Sequence, residues 1–347
     1  MKTVLITGCG GLIGKEATEF FAAKGFRVIG IDNNMRKYFF GEDGSVQSSI
    51  DSVKNLTNVV YYDTDIRDHN SLTKIFYEYG TEIECIIHTA AQPSHDWAAK
   101  EVFTDFHVNT TATIKLLELF KQECPNASFI FTSTNKVYGD NPNYLPYLET
   151  DTRFELTEDH QYYKGFNEQF SVDGTKHSLF GCSKLSADVY VQEYGRYFGL
   201  KTTIFRGGCL TGSKHKGAEL HGFLNYLVKC AKEERTYNLY GYKGKQVRDN
   251  IHSADLVAAF YEVYQSPRVA EVYNIGGGRH SNCSILEAVE MIEQFTGIKT
   301  KLNYILENRS GDHMWWISDV SKFQEHYPNW KYTFGIQDII KDIINNG

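Results

Sequence analysis

The sequence predicts an α/β fold: a doubly wound parallel sheet covered by helices on both faces, with a smaller C-terminal α/β lobe. Three observations predict it. Short apolar runs recur with helical patterns between most of them, a glycine-rich turn joins the first run to an amphipathic stretch, and the regular spacing breaks down from about Thr211. Strands that alternate with helices pair in parallel, because each crossover helix carries the chain back to the end of the sheet where it began.

The elements follow in order. Thr3 to Thr7 is an apolar run of strand length, Gly8 to Gly14 a turn, Leu12 to Lys24 an amphipathic stretch, and Phe26 to Asp32 a second run, which together make one β-α-β unit. Buried strands are expected at Val59–Tyr62, Cys85–His88, Ser128–Phe131 and Thr202–Phe205. Beyond Thr211 helices are expected near Gly222–Glu233 and Ile285–Thr296, while Asn141–Thr175, rich in Tyr, Asp, Glu and Asn, reads as a long ordered loop. Residues 1–205, rejoined by about 236–265, are expected to form the large domain, and residues 206–235 and 266–347 the lobe.

A chain of 347 residues is long enough for a large core. No apolar run approaches the ~18 residues of a membrane span, and Met1-Lys2-Thr3-Val4 leads into the glycine turn without the layout of a signal peptide, so a cytoplasmic protein is expected. Seven scattered cysteines without a Cys-x-x-Cys pair fit reduced thiols and no metal site. A net charge of −7 disfavours a nucleic-acid surface, so any phosphate site must be local.

Glycines at 8, 11 and 14 follow a strand and open a helix. They allow a tight turn, close approach of the backbone to a pyrophosphate and close helix–sheet packing, with the helix N-terminus facing the anion. Asp32 ends the second strand, where a carboxylate receives the adenosine ribose hydroxyls. A Rossmann-type site is therefore expected. Because that carboxylate repels a 2′-phosphate, NAD is preferred to NADP, although Arg36 and Lys37 stand nearby.

Thr7-Gly8-x-x-Gly11-x-x-Gly14, Asp65-Ile66-Arg67, His88-Thr89-Ala90-Ala91-Gln92, Asn109, Val137-Tyr138-Gly139 and Arg248-Asp249-Asn250-Ile251-His252 together resemble the extended short-chain dehydrogenase/reductases that act on nucleotide sugars. The resemblance covers nearly the whole chain. It implies that Gly8, Gly11, Leu12, Ile13, Gly14, Asp32 and Asn33 hold the cofactor. Asp65 and Ile66 would flank its adenine, Ala90, Ala91 and Gln92 its nicotinamide side, with Thr132 and Lys184 beside them and Asn109 fixing a helix. Ser133-Thr134-Asn135-Lys136-Val137-Tyr138-Gly139-Asp140, the acidic insert after Glu149-Thr150-Asp151-Thr152-Arg153, His177-Ser178-x-x-Gly181-Cys182-Ser183-Lys184 and Gly244-Lys245-Gln246-Val247-Arg248-Asp249 are similar to the CDP-paratose 2-epimerase subfamily. That similarity implies a CDP-sugar substrate, Thr134 as a catalytic hydroxyl, and Thr134, Asn135, Arg206, Arg248 and Arg309 as substrate-binding residues, the last in Arg309-Ser310-Gly311-Asp312. Guanidinium groups suit a diphosphate because they bind it bidentately and stay charged. Asn135-Lys136 stands where nucleotide-sugar dehydratases carry Asp-Glu, which disfavours dehydration. A homo-oligomer, dimer or tetramer, is expected from the same resemblance. Phe223, Tyr226, Trp315 and Trp316 are read as core, one of them being a candidate to stack on the nucleotide base.

Phe180 is the departure. The family's Tyr-x-x-x-Lys pair reads Phe180-Gly181-Cys182-Ser183-Lys184: the lysine is present and the phenol is missing. A ketone at C4 of a 3-deoxy sugar does not acidify C2, so inversion at C2 requires oxidation there, a turn of the 2-keto sugar, and reduction from the other face. Phe180 keeps the ring and lacks the base, a change that reads as a deliberate replacement leaving an inactivated epimerase. Three alternatives stand beside it: a natural phenylalanine with Tyr138, His177, Cys182 or water as base, another NAD-dependent nucleotide-sugar epimerase acting at C4 with a different base, and a non-catalytic protein that binds NAD or a nucleotide sugar.

Overall fold

The computed structural model describes residues 1–219, 222–309 and 311–347. The chain divides into two compact units, one of Met1–Thr134, Leu179–Arg206 and Leu256–Tyr273, the other of Asn135–Ser178, Gly207–Asp255 and Asn274–Gly347.

The first unit is built on strands β1 (Thr3–Thr7), β2 (Arg27–Asp32), β3 (Val59–Asp63), β4 (Ile83–His88) and β5 (Ser128–Thr134). Lys201–Gly207 and Glu271–Ile275 extend the sheet beyond β5 in that order, so that it runs Glu271–Ile275, Lys201–Gly207, β5, β4, β1, β2, β3. β1 lies between β2 and β4, parallel to both, with Leu5 opposite Ile29 and Ile86. All five residues of β1 are buried, as expected of a central strand covered on both faces. The strand order reverses between β1 and β4, which opens a crevice at their carboxyl ends.

Helices α1 (Leu12–Ala23), α2 (Met35–Phe40), α3 (Gln47–Lys54), α4 (His69–Tyr79), α5 (His95–Lys100), α6 (Val102–Phe106), α7 (Ala112–Glu123) and α8 (Leu179–Phe198) complete this unit with the Ser253–Gln265 helix from Leu256 onward. Leu116 and Phe120 of α7 and Val191 of α8 join Ile86, Phe129 and Ile204 of the sheet in one apolar cluster. Between α6 and α7 the chain makes a π-helical turn, His107–Thr111, which carries the buried Asn109. No helix among the described residues is long and apolar enough to cross a membrane.

The second unit centres on Val247–His252, which pairs antiparallel with Asn282–Ser284 and parallel with Trp315–Trp316 and Cys209–Thr211. Helices Phe223–Lys232, Ile285–Thr296 and Ile336–Asn346 bury their apolar faces together. Ser284 starts the second of these with a capping box to Glu287. Trp315 and Trp316 are fully buried, and Trp316 stacks on Phe166 and Tyr138. Neither tryptophan is therefore available to a nucleotide base.

The division corrects the expected boundaries at two places. The acidic loop region belongs to the second unit, where Phe154 donates to the Lys245 carbonyl and Phe166 to that of Ile317. The returning segment is Leu256–Tyr273 rather than 236–265, because Thr236–Tyr240 pairs with Lys301–Ile305 instead of joining the large sheet.

Arg206, expected on the substrate, is tied inside the first unit. Its Nε and Nη2 donate to the Asp188 carboxylate at 3.0 and 2.9 Å, and that carboxylate also accepts from Ser133 and Gln192. The two side chains are 7% and 0% exposed. A guanidinium held this way balances a buried charge. Arg206→Met strands Asp188 and should lower the unfolding free energy by about 3–5 kcal/mol in urea titrations; unchanged stability with a raised KM would return Arg206 to the substrate.

Candidate active site

Gly8, at φ +74, turns the chain at the tip of β1, and a Cβ there would meet the Ala90 backbone nitrogen at 2.8 Å. A Cβ on Gly14 would stand 2.0 Å from the Gly8 carbonyl oxygen, so α1 packs against the turn only because that position is bare. Gly11, the N-cap, has no side-chain cap, and a Cβ there would lie 3.3 Å from the Gly8 oxygen. The first-turn N–H groups of Leu12, Ile13 and Gly14 are thus presented, uncapped by any side chain, as donors for an anion.

Asp32 closes the other side. Its carboxylate accepts from Gly10 N and Asn34 N at 2.8 Å each, while burial raises its pKa against the pull of those two bonds. Ribose hydroxyls would donate to the same carboxylate and favour its charged form. Asn33 donates to Asp65, which also receives a bidentate pair from Arg67. Burial opposes ionisation of Asp65, yet Arg67 holds it below the usual range. Ile66 beside it is buried. The bare glycines, the uncapped helix start and the carboxylate at the end of β2 fit a dinucleotide.

After β4 the segment Ala90–Gln92 is fastened from both sides. Ala90 N donates to the Thr7 hydroxyl, and Gln92 exchanges backbone hydrogen bonds with the Asn109 amide. Asn109 also donates to Asp105 and to Ser183 Oγ, on the first turn of α8. Thr132 donates to the His88 carbonyl and receives Lys184 Nζ on its own carbonyl at 2.7 Å. Lys184 lies over the Phe131 ring, and burial pushes its pKa down to about 8 against the attraction of Asp188 and Asp105. Thr134 ends β5, partly buried. Phe180, 7% exposed, meets the His95 ring edge-on with centroids 5.1 Å apart.

Two of the other base candidates, Tyr138 and His177, have structural partners. Tyr138 is fully buried and donates to Asn274 at 2.8 Å, and a His177 ring nitrogen lies 2.8 Å from the Val137 carbonyl. Cys182 is exposed, and partial burial with Asp105 raises its thiol pKa.

In the second unit Arg248 is buried, donates to Asp312 and to its neighbour's carbonyl, and shares its surroundings with Lys136 and Arg309. Burial disfavours the Asp312 charge, but Arg248, Lys136 and Arg309 together hold the carboxyl far below its usual range. Lys136, one residue after the buried Asn135, is pushed down to about 8 by burial. Three cations thus stand around one carboxylate, an arrangement suited to an anionic ligand. Of the expected motif Arg309-Ser310-Gly311-Asp312, Ser310 lies outside the described residues. Sequence reasoning does not single out Asp312 as a partner of Arg248 or His95 as a neighbour of Phe180; the chain spacing carries no sign of either contact.

Asp32→Ala removes the charged acceptor for the ribose, a loss of about 1.5–3 kcal/mol. By calorimetry its dissociation constant for NAD should rise about 10- to 100-fold; an unchanged constant would place the ribose elsewhere.

Residues 4–276 match the NAD dependent epimerase/dehydratase family. CDP-paratose 2-epimerase of Salmonella typhi is 30% identical over 329 residues, covering 93% of this chain and 92% of that one. Human UDP-glucose 4-epimerase is 28% identical over 354 residues, with 99% and 95% covered. A tyrosine-to-phenylalanine mutant of UDP-glucuronic acid 4-epimerase from Bacillus cereus, solved with UDP-4-deoxy-4-fluoro-glucuronic acid and NAD, shares the fold with a TM-score of 0.78. It is 22% identical and covers 99% of this chain and 98% of its own. With the glycine turn, Asp32 and Lys184 in place, the chain belongs to the NAD dependent epimerase/dehydratase family, whose members act on nucleotide sugars.

Proposed function

We propose that the chain is an NAD-dependent epimerase that inverts C2 of a CDP-hexose of the paratose or tyvelose type through a transient 2-keto sugar. The observation that carries the reading is the Lys184–Thr132 bond with Thr134 at the end of the same strand; the second unit adds a cationic Arg248–Lys136–Arg309 group. The similarity to CDP-paratose 2-epimerase supports the base and the position of inversion.

NAD, when bound, takes a hydride from one sugar carbon and returns it to the same carbon. Gly8, Gly11, Gly14 and Asp32 hold it, and Thr134 donates a hydrogen bond to the sugar oxygen. By the same similarity Arg248 and Arg309 are assigned to the diphosphate and Asn135 to the substrate. Lys184, already lowered toward neutral pH, orients the cofactor ribose. Phe180 cannot take the hydroxyl proton, so turnover falls below that of the same site with a phenol. A positioned general base contributes about 10²- to 10⁴-fold.

CDP-sugars and UDP-sugars incubated with the chain and with Phe180→Tyr should show, by NMR, inversion at C2 of the CDP-sugar, faster in Phe180→Tyr. Inversion at C4 of a UDP-sugar would establish the second reading, which the similarity to human UDP-glucose 4-epimerase favours. Tight binding of a nucleotide sugar without turnover in either form would make the chain a non-catalytic binder.

The same reading includes a homo-oligomer. Val102, Phe103 and Phe106 of α6 and Val189, Tyr190, Tyr197 and Phe198 of α8 are exposed on the first unit. Sedimentation equilibrium should report a dimer or a tetramer, and Val189→Glu with Tyr190→Glu should shift it toward monomer; an unshifted assembly would place the interface on another face.

A further inference from the structure

The proton transfer that Phe180 cannot perform needs another acceptor, and the first unit places one against it. His95 is the titratable residue whose ring touches Phe180 among the ring contacts described, at 5.1 Å between centroids and 70° between planes. It is partly exposed, on the first turn of α5, three residues beyond the Ala90–Gln92 segment expected beside the nicotinamide.

Its position is fixed by the same polar bonds that fix Phe180. Ser94, the N-cap of α5, accepts from Trp97 N, donates its own N–H to the Gln92 side chain, and accepts on its carbonyl from Gln92 Nε2. Gln92 also donates to Asp105, which accepts from Asn109, and Asn109 donates to Ser183 of α8. Thr110 Oγ1 donates to the Ser183 carbonyl. This buried chain of bonds therefore links the helix that bears His95 to the helix turn that bears Phe180 and Lys184. Trp97, on the same short helix, donates to the Phe39 carbonyl and packs on Tyr38 and Phe39, which holds α5 from its other side. These bonds set the two helices in a fixed relation, and the edge-on contact sets the His95 ring against Phe180, as proton transfer at a set distance requires.

We propose that His95 is the general base of the reaction in this chain. The inference rests on the epimerase reading above. An imidazole nitrogen takes the hydroxyl proton while the C–H bond at the same carbon breaks, its hydride passing to NAD and the C=O bond forming. On return the imidazolium gives that proton back to the oxygen as the C–H bond re-forms on the opposite face. Protons and electrons balance over the cycle, and Phe180 is the wall that holds the imidazole at the sugar.

Turnover of the CDP-sugar, binding by calorimetry and the His95 ring resonances in NMR together test it. In the chain as it stands, His95→Gln should lower kcat by about 10²-fold or more while the sugar's dissociation constant changes less than about threefold. Added imidazole should restore turnover to His95→Ala, a recovery that a packing role does not give. The His95 ring resonances should shift when the nucleotide sugar binds. In the Phe180→Tyr background, where the phenol takes the proton, His95→Gln should cost less than about threefold. Turnover that survives His95→Gln, or a loss that imidazole does not rescue and that Phe180→Tyr shares, overturns His95 as base. Turnover seen only with Phe180→Tyr overturns His95 and leaves the epimerase reading standing. Absence of turnover in both forms overturns the epimerase reading, and His95 falls with it.

Discussion

The site of the first unit hangs on the Asn109 amide. One side chain, brought inward by a π-helical turn, bonds the Gln92 backbone twice, Asp105 once and Ser183 once. All four residues are buried. A buried amide without partners would cost about 1–3 kcal/mol, so the arrangement holds only with every partner present. Through it the loop after β4 and the start of α8 keep a fixed relation, although some ninety residues of chain separate them. An α-helical turn at the same place would point residue 109 about a residue's rotation away, which accounts for the rarer geometry.

Most of the large sheet is legible in the order of residues alone. Strands covered on both faces read as apolar runs: β1 spans its expected range, and β2 to β5 each keep one expected end with the other moved by one to three residues. The helix over Ile285–Thr296 is legible over its full span, because a serine cap and a Glu three residues on mark its start. The glycine turn and Asp32 are legible for a steric reason, since only a bare position tolerates a carbonyl 2.0 Å from where a Cβ would be. Partnership between distant residues leaves no such trace. Arg206 reads as a substrate-binding residue, and nothing in the order of residues shows Asp188 across from it. The boundary at Thr134 is equally silent, because β5 runs into the next turn without a glycine, a proline or a change of composition. His95 sits in no motif, and its meaning comes from the ring opposite it.

Phe180 takes on a different sense in this setting. Its ring is buried and in contact, Lys184 four residues on keeps its carbonyl partner, and the cofactor-side residues keep their bonds. Lys184 stays buried although that burial drives its pKa down to about 8 and is a standing cost to the fold. Tyr138 and His177 meanwhile carry out structural work in the second unit, which removes them from the residues able to move at no cost.

The second unit has one further consequence. Asp312 acts as an internal counter-ion for Arg248, and Lys136 and Arg309 also act on it. These cations stand in a protein of net charge −7. On the proposed reading, a dianionic nucleotide sugar would be repelled by the net charge and drawn by these cations. Dissolved salt weakens the long-range repulsion over a Debye length of about 8–10 Å while acting less on the buried cations. Capture of that substrate would then depend on ionic strength in two opposing ways, with the remote and local fields screened to different extents.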